Sequence, residues 1–358
     1  MHELGVKEAA VARLLACYDF RLKEDRMRIA NKLGYTEKHV SEIIRRLRGM
    51  GKERLWPQHI RDIRHLSLAT VLVRTRRCIE GDPRTLGELP SYGVPLHRFL
   101  YSYRVVMHGL CIYSYLVPWR FLDEALEGIT DGLGGETDVG ITVPVRPLCR
   151  DPPAMPGKED EEEAAAMLHQ SPRPQPLELL DLVIYSALDI NPLHTLRELQ
   201  DVSEIVSERL GRRVRVLLNY SKLRRRYIQL SSSGLIGRVL VYRAVWGASA
   251  MLHPLYVEVE KSCAARLYAS AKSLWAATNV FLGEEAAATV MLIPDEYSER
   301  LRRSLRGCIR LSDVITSGFG AGLPIDMYSP KKGWCLEPQP LPRLLEGLGL
   351  AEIEEATG

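Results

Sequence analysis

Residues 25–51 read DRMRIANKLGYTEKHVSEIIRRLRGMG. Ile29, Leu33, Val40, Ile43, Ile44 and Leu47 recur at the spacing of two buried helix faces, broken at Gly34-Tyr35, and Thr36 stands where an N-cap would open the second helix. This is a helix-turn-helix pattern. In such a unit the second helix enters the DNA major groove, which would put Thr36, Lys38, His39, Ser41 and Glu42 toward base edges and Arg45, Arg46 and Arg48 near phosphates. Helix pairs of this kind also occur in proteins that never touch DNA. The charge favours the functional reading: residues 21–77 carry sixteen Lys and Arg against six Asp and Glu, an excess of ten, where the whole chain has a net +3.

Working outward, a helix over 11–20 would complete a three-helix unit, so residues 1–56 are expected to form a winged helix-turn-helix domain. After it, LATVLVRT at 68–75 reads as a buried strand, and residues 81–95 surround another helix. The segment 103–117 reads as two strands turning near His108-Gly109. Pro118 opens a helix, and 138–145 gives a last strand. Strand, helix, strand, strand, helix, strand is the ferredoxin-like order, assigned to 57–150. Residues 151–176 are rich in proline and carry KEDEEEAAA, the composition of a solvated linker or partly helical spacer.

The same order then starts again. Leu33-Gly34 matches Leu210-Gly211 at an offset of 177, the triplets ending at Pro118 and Pro294 match at 176, and ThrAspVal at 137–139 matches SerAspVal at 312–314 at 175. The expectation is a tandem repeat: a second winged helix-turn-helix over 177–246, a second ferredoxin-like domain over 247–336, and a tail over 337–358. In the second unit Val214, Leu217, Leu218 and Leu223 would face the core from its third helix, and 228–245 would form a hairpin wing. Ten Lys or Arg and no carboxylate fall from 209 to 243, the footprint of a nucleic-acid surface. Arg212, Arg213, Arg215 and Asn219 are placed to reach bases, and Lys222, Arg224, Arg225 and Arg226 to reach phosphate.

The totals bound the class. A chain of 358 residues with 46% hydrophobic and 26% charged side chains is an ordinary soluble protein of more than one domain, to which the order of elements above gives an α+β class. It has no apolar run of about 18 residues, and its first twenty residues lack the pattern of a signal peptide, so a cytoplasmic protein away from the membrane is expected. Seven scattered cysteines without a CxxC pair indicate buried thiols rather than a zinc site or disulfide framework. Few Asn and Gln and many Arg hint at a thermophilic source. No nucleotide, hydrolase or metalloprotease fingerprint is present, and neither metal nor cofactor is expected.

Residues 280–322, with VFLGEEAAATVMLIPDEYSERLRRSL and LSDVITSGFGAG, resemble the effector half of the leucine-responsive (Lrp/AsnC, feast/famine) regulators. The resemblance implies winged helix-turn-helix units joined to ferredoxin-like domains that pair through their sheets. It implies a DNA-binding transcription regulator acting on double-stranded DNA, an amino-acid effector, association of chains, and no enzymatic activity. For the effector it points to Gly283, Glu284 and Glu285, with His108 and Gly109 at the matching turn of the first copy; Ala286 stands where the family has an aspartate. Two alternatives accompany this reading. One is an architectural protein that coats DNA with little sequence preference. The other is an enzyme like the sirohaem decarboxylases, a branch of the same structural family that relies on His and Arg near the sheet. For that branch the candidates are His59, His65 and His108 with Arg61, Arg64 and Arg104.

Overall fold

The structure, a computed structural model, describes residues 4–78, 88–89, 94–147, 154–170, 176–210, 214–247, 250–320, 323–336, 348 and 354–355. It is an α+β protein. Helices α1 (Val6–Leu14), α2 (Lys23–Leu33) and α3 (Glu37–Gly49) form the first three-helix unit. Gly34 ends α2 at φ +66°, the left-handed conformation a glycine adopts without a Cβ penalty. Thr36 caps α3 by accepting from the His39 amide. Val40, Ile43, Ile44 and Leu47 are buried as their spacing requires.

Next comes β1 (Pro57–Ile60), followed by β2 (Leu68–Thr75), β3 (Leu100–Val106), β4 (Cys111–Pro118), α4 (Leu122–Leu133) and β5 (Glu136–Pro144). The helix expected around 81–95 falls largely outside the described residues. Helix α5 (Lys158–Leu168) lies in the expected linker. It buries Ala164 and Leu168 and ties itself to the second half through the Lys272–Glu163 and Arg266–Glu161 ion pairs. The spacer is thus a docked helix.

The second helical unit is α6 (Leu179–Ile190), α7 (Ser203–Leu210) and α8 (Tyr220–Ser232), followed by strand β6 (Arg238–Val241). The third helix begins later than expected. Asn219 caps it by accepting from the Lys222 amide, and Leu217, expected in the core, is exposed. Nor is there a hairpin wing over 228–245: α8 occupies its first arm, and β6 pairs antiparallel with β1, Pro57 against Val241 and Ile60 against Arg238. The strand after each helical unit has the other as its partner.

The remaining elements are β7 (Leu252–Glu260), α9 (Ala264–Ser273), β8 (Asn279–Gly283), β9 (Ala286–Pro294), α10 (Asp295–Ser304) and β10 (Ile309–Gly320). Strands β2 to β5 form one antiparallel sheet in the order β5-β2-β4-β3, and β7 to β10 form another in the order β10-β7-β9-β8. Both follow the ferredoxin-like arrangement. β8 then pairs with β5 and β10 with β3, so the eight strands close into a barrel. Gly140 and Gly318 sit at these two seams, where a Cβ would run into the backbone of the facing strand.

Side chains alternate across the strands. Val71, Val73, Tyr113 and Tyr115 face α4 and α6 in one core, and Leu255, Val257, Val280 and Met291 face α5 and α9 in another. The inward face carries Leu72, Val106, Ile112, Tyr256, Phe281 and Ala288 together with charged groups. Leu68 lies opposite Pro118 and Leu252 opposite Pro294, so Arg74 and Glu258, six residues on in each strand, occupy corresponding positions. They are ion-paired with each other, both almost fully buried. The aspartates of the ThrAspVal and SerAspVal landmarks correspond likewise. Asp138 accepts from the amides of Glu284 (2.8 Å), Glu285 (3.4 Å) and Ala286 (3.1 Å), and Asp313 accepts from the His108 amide (3.2 Å) and Nδ1 (2.5 Å). Each fastens the β-turn of the opposite half.

The cysteines depart from the expectation of free thiols. Cys78–Cys111 and Cys263–Cys308 are disulfides, Cys17 is disulfide-bonded as well, and Cys335 is free. Their wide separation in sequence concealed the pairs, since only the folded sheets bring Cys78 to Cys111 and Cys263 to Cys308. No described helix is long and apolar enough to cross a membrane.

Two outcomes are expected. Arg74→Met should cost up to about 3 kcal/mol in denaturant unfolding, because it leaves the buried Glu258 carboxylate only the Tyr256 hydroxyl and the more distant Arg310 at 3.8 Å, and adding Glu258→Met should recover most of that loss. Burial raises the Asp313 carboxyl, but hydrogen bonds from His108 and Val314 outweigh it and hold it below its ordinary value. Its contribution is therefore present above the ordinary carboxylate range and lost as pH falls through the lowered value. His108→Ala should remove part of this acid-side dependence in unfolding followed against pH.

Candidate functional site

A polar cavity of about 240 Å3 opens at one mouth of the barrel. Its floor is the inward face of the strands, with Leu72, Tyr256, Phe281 and Ala288. Pro57, Gln58 and His59 of β1 border it, with Asp189 near the end of α6 on another side. A second space of about 520 Å3 shares Gln58, Tyr101, Ser102, Arg104 and Asp189 with it and runs on past Lys52, Ser186 and Glu204. The two spaces together match the size of a small-molecule or cofactor site, roughly 300–1,000 Å3.

Alternation along β3 turns Ser102 and Arg104 inward. The Arg104 guanidinium donates from Nη1 to Ser102 Oγ at 2.7 Å and pairs with no carboxylate among the described residues. Burial lowers its affinity for a proton, with the hydroxyls of Tyr101 and Tyr256 acting the other way. Arg61 differs. It is ion-paired with Asp189 and hydrogen-bonded to Tyr101 Oη. Burial works against its charge, but Asp189 outweighs it and raises its pKa. Burial raises Asp189 in turn, opposed by Arg61. His59 accepts the Gly237 amide at Nε2 (3.3 Å), which assigns the proton to Nδ1, a buried atom without a hydrogen-bond partner among the described residues. Burial, with Arg21 and Arg61 nearby, holds His59 well below its ordinary pKa, so it is a neutral donor.

Three of the six residues proposed for a decarboxylase thus share one cavity: His59, Arg61 and Arg104. The other three do not join them. His65 is turned to the Asp62 carbonyl and Tyr185, Arg64 pairs with Asp62, and His108 is the exposed latch on Asp313. The effector candidates Gly283, Glu284 and Glu285 sit in the turn fastened on Asp138, so the Glu284 and Glu285 amides already hold a carboxylate of the chain itself. Gly109, at φ +73°, belongs to the matching turn beside His108.

The DNA-facing candidates scatter. Lys38 and Arg45 are exposed on α3, whereas Arg46 pairs with Glu8 and Arg48 with Glu198, and Ser41 donates to Glu37. Arg212 and Arg213 lie outside the described residues, and Arg215 falls in a two-residue strand. Arg224 and Arg225 are exposed, as is Lys222. Arg226 corrects the reading of that run. It is 5% exposed and ion-paired with Asp181 and Glu178, so it holds α8 to α6 and is not available to phosphate.

Sequence reasoning missed Asp189, Tyr101 and Ser102. A usable signal for the first was present: LLDLVIYSALDI is an apolar helix interrupted by two aspartates, and each proves to hold a buried arginine, Asp181 with Arg226 and Asp189 with Arg61.

The chain matches no family model and no curated protein. Among solved structures it is similar to the siroheme decarboxylase NirDL, at 12% identity and a TM-score of 0.44, covering 88% of this chain and 93% of that one. It is similar too to NirDL in complex with an iron-uroporphyrin III analogue, at 14% identity and a TM-score of 0.43, covering 88% and 92%. Both are enzyme structures, and the expectation of a protein without enzymatic activity is withdrawn on that finding.

An uncompensated buried charge should cost stability where it serves a ligand. Arg104→Met is therefore expected to leave the midpoint of thermal unfolding unchanged or raise it in the ligand-free protein, while an Arg61→Met control lowers it by leaving Asp189 unpaired.

Proposed function

We propose that the chain is an enzyme that holds a carboxylated tetrapyrrole in the barrel-mouth cavity and removes carboxyl groups from it as CO2. The observation that carries this reading is Arg104, a half-buried guanidinium that pairs with no carboxylate among the described residues, standing in a polar cavity beside a second arginine. Such a group calls for an anion. Tyr101, Tyr256, Phe281 and Leu72 supply flat aromatic and aliphatic wall for an apolar ring system, and neutral His59 offers an unused N–H. Convergence of His59, Arg61 and Arg104 is also what the decarboxylase alternative required. The NirDL complex holds an iron-uroporphyrin III analogue, which makes that class of molecule the natural first probe.

Support for a DNA-binding regulator is thinner. Arg46 and Arg48 are engaged by carboxylates, and Arg226 is buried. The second unit also lacks the hairpin wing that would track a phosphate backbone.

The test begins with an absorbance titration of iron-uroporphyrin III into the protein. A saturable spectral shift is expected, weakened about tenfold or more by Arg104→Gln, the scale of one lost charge-assisted hydrogen bond. Incubation with sirohaem followed by mass spectrometry should then show products lighter by successive CO2 units. An unchanged spectrum together with unchanged substrate mass would overturn the reading.

A further inference from the structure

Asp189 stands at the junction of the two spaces and lines both. Its Oδ1 is committed to Arg61, while Oδ2 has no hydrogen-bond partner among the described residues. The groups around it are Arg61 from the segment after β1, His59 and Gln58 of β1, Tyr101 and Arg104 of β3, and Tyr185 of its own helix. Lys52 and Glu204 lie farther along the second space. Arg61 is the charge that opposes the effect of burial on Asp189.

We propose that Asp189 is the proton-uptake residue of this cavity: a ligand carboxylate that engages Arg61 and Arg104 draws Arg61 away from Asp189, and the Asp189 carboxylate takes a proton from solvent. The inference rests on the cavity binding an anion, as set out above, and adds what that binding does to the protein. Two physical effects act in the same direction. The incoming negative charge disfavours a second carboxylate within about 4–6 Å, and sharing the guanidinium weakens the pairing that offset the burial of Asp189. Burial already raises Asp189 in the empty cavity.

The proton has a use in the reaction. When a substrate carboxylate leaves as CO2, the electron pair of the broken C–C bond stays on the substrate carbon. A proton must then join that carbon, and Asp189 returns to its carboxylate. Charge and atoms balance, with no oxidant or reductant. The other groups on the wall are poorer donors near neutral pH. His59 is neutral, and burial raises the Tyr101 and Tyr256 hydroxyls.

Isothermal titration with iron-uroporphyrin III in buffers of different ionisation heat separates this inference from the reading beneath it. The wild-type protein should take up close to one proton per ligand at neutral pH, with affinity falling toward tenfold per pH unit on the alkaline side. Asp189→Asn should bind with affinity within a few fold of wild type and take up none, and Asp189→Glu should restore uptake. Binding by the wild type without proton uptake, or equal uptake by Asp189→Asn, overturns the role of Asp189 and leaves the anion cavity standing. A wild-type protein that binds no tetrapyrrole overturns both.

Discussion

The Arg74–Glu258 ion pair sits where the two sheets face each other, enclosed within the barrel, and whatever faces either charge there has to answer it. These residues occupy corresponding positions in the two halves, so they are the positions that would meet each other across the axis of a symmetric pair. Two copies of the first half would bring arginine against arginine, and two copies of the second would bring carboxylate against carboxylate. Only the unlike combination places a cation against an anion in an enclosed space, where a like pair would cost several kcal/mol. The charges at these two positions thus suit the packing of one half on the other.

The aspartate latches work to the same end at the barrel's seams. Asp138 and Asp313 each offer a carboxylate to the turn of the opposite half, and the turn amides hold it as a backbone nest holds an anion. This also accounts for part of the sequence pattern. ThrAspVal and SerAspVal recur because the fold needs the same carboxylate twice, once per seam. The turns differ, since one side uses three successive amides and the other uses the amide and imidazole of His108.

Much of the fold was legible because it rests on local patterns. The cap at Thr36, the glycine at 34 and the spacing of Ile29 to Leu47 all act within a few residues, and they placed α2 and α3 closely. The β-branched, apolar run LATVLVRT and the recurrence of proline before a helix set out the two sheets. What escaped reading was decided by partners remote in sequence. PQHI at 57–60 is too short and too polar to declare itself a strand until Arg238–Val241 lies beside it. Arg226 looks like its neighbours Arg224 and Arg225 until Asp181 is seen to claim it. Cavity residues divided in the same way: His59, Arg61 and Arg104 were noticed for their chemistry, whereas Asp189 lay hidden in a helix whose other residues are almost all apolar.

The pairing of β1 with β6 bears on how the molecule comes into being. Residue 57 meets residue 241, so the first strand of the ribbon is made 184 residues before its partner. At about 5–20 residues per second that interval is roughly ten to forty seconds. The two free edges of the first sheet wait as well, β5 for β8 and, over a longer stretch of chain than β1, β3 for β10. A nascent first half therefore presents unpaired strand edges, the feature most prone to unwanted association. Joining both halves in one polypeptide keeps the correct partner tethered close by when those edges need to be closed.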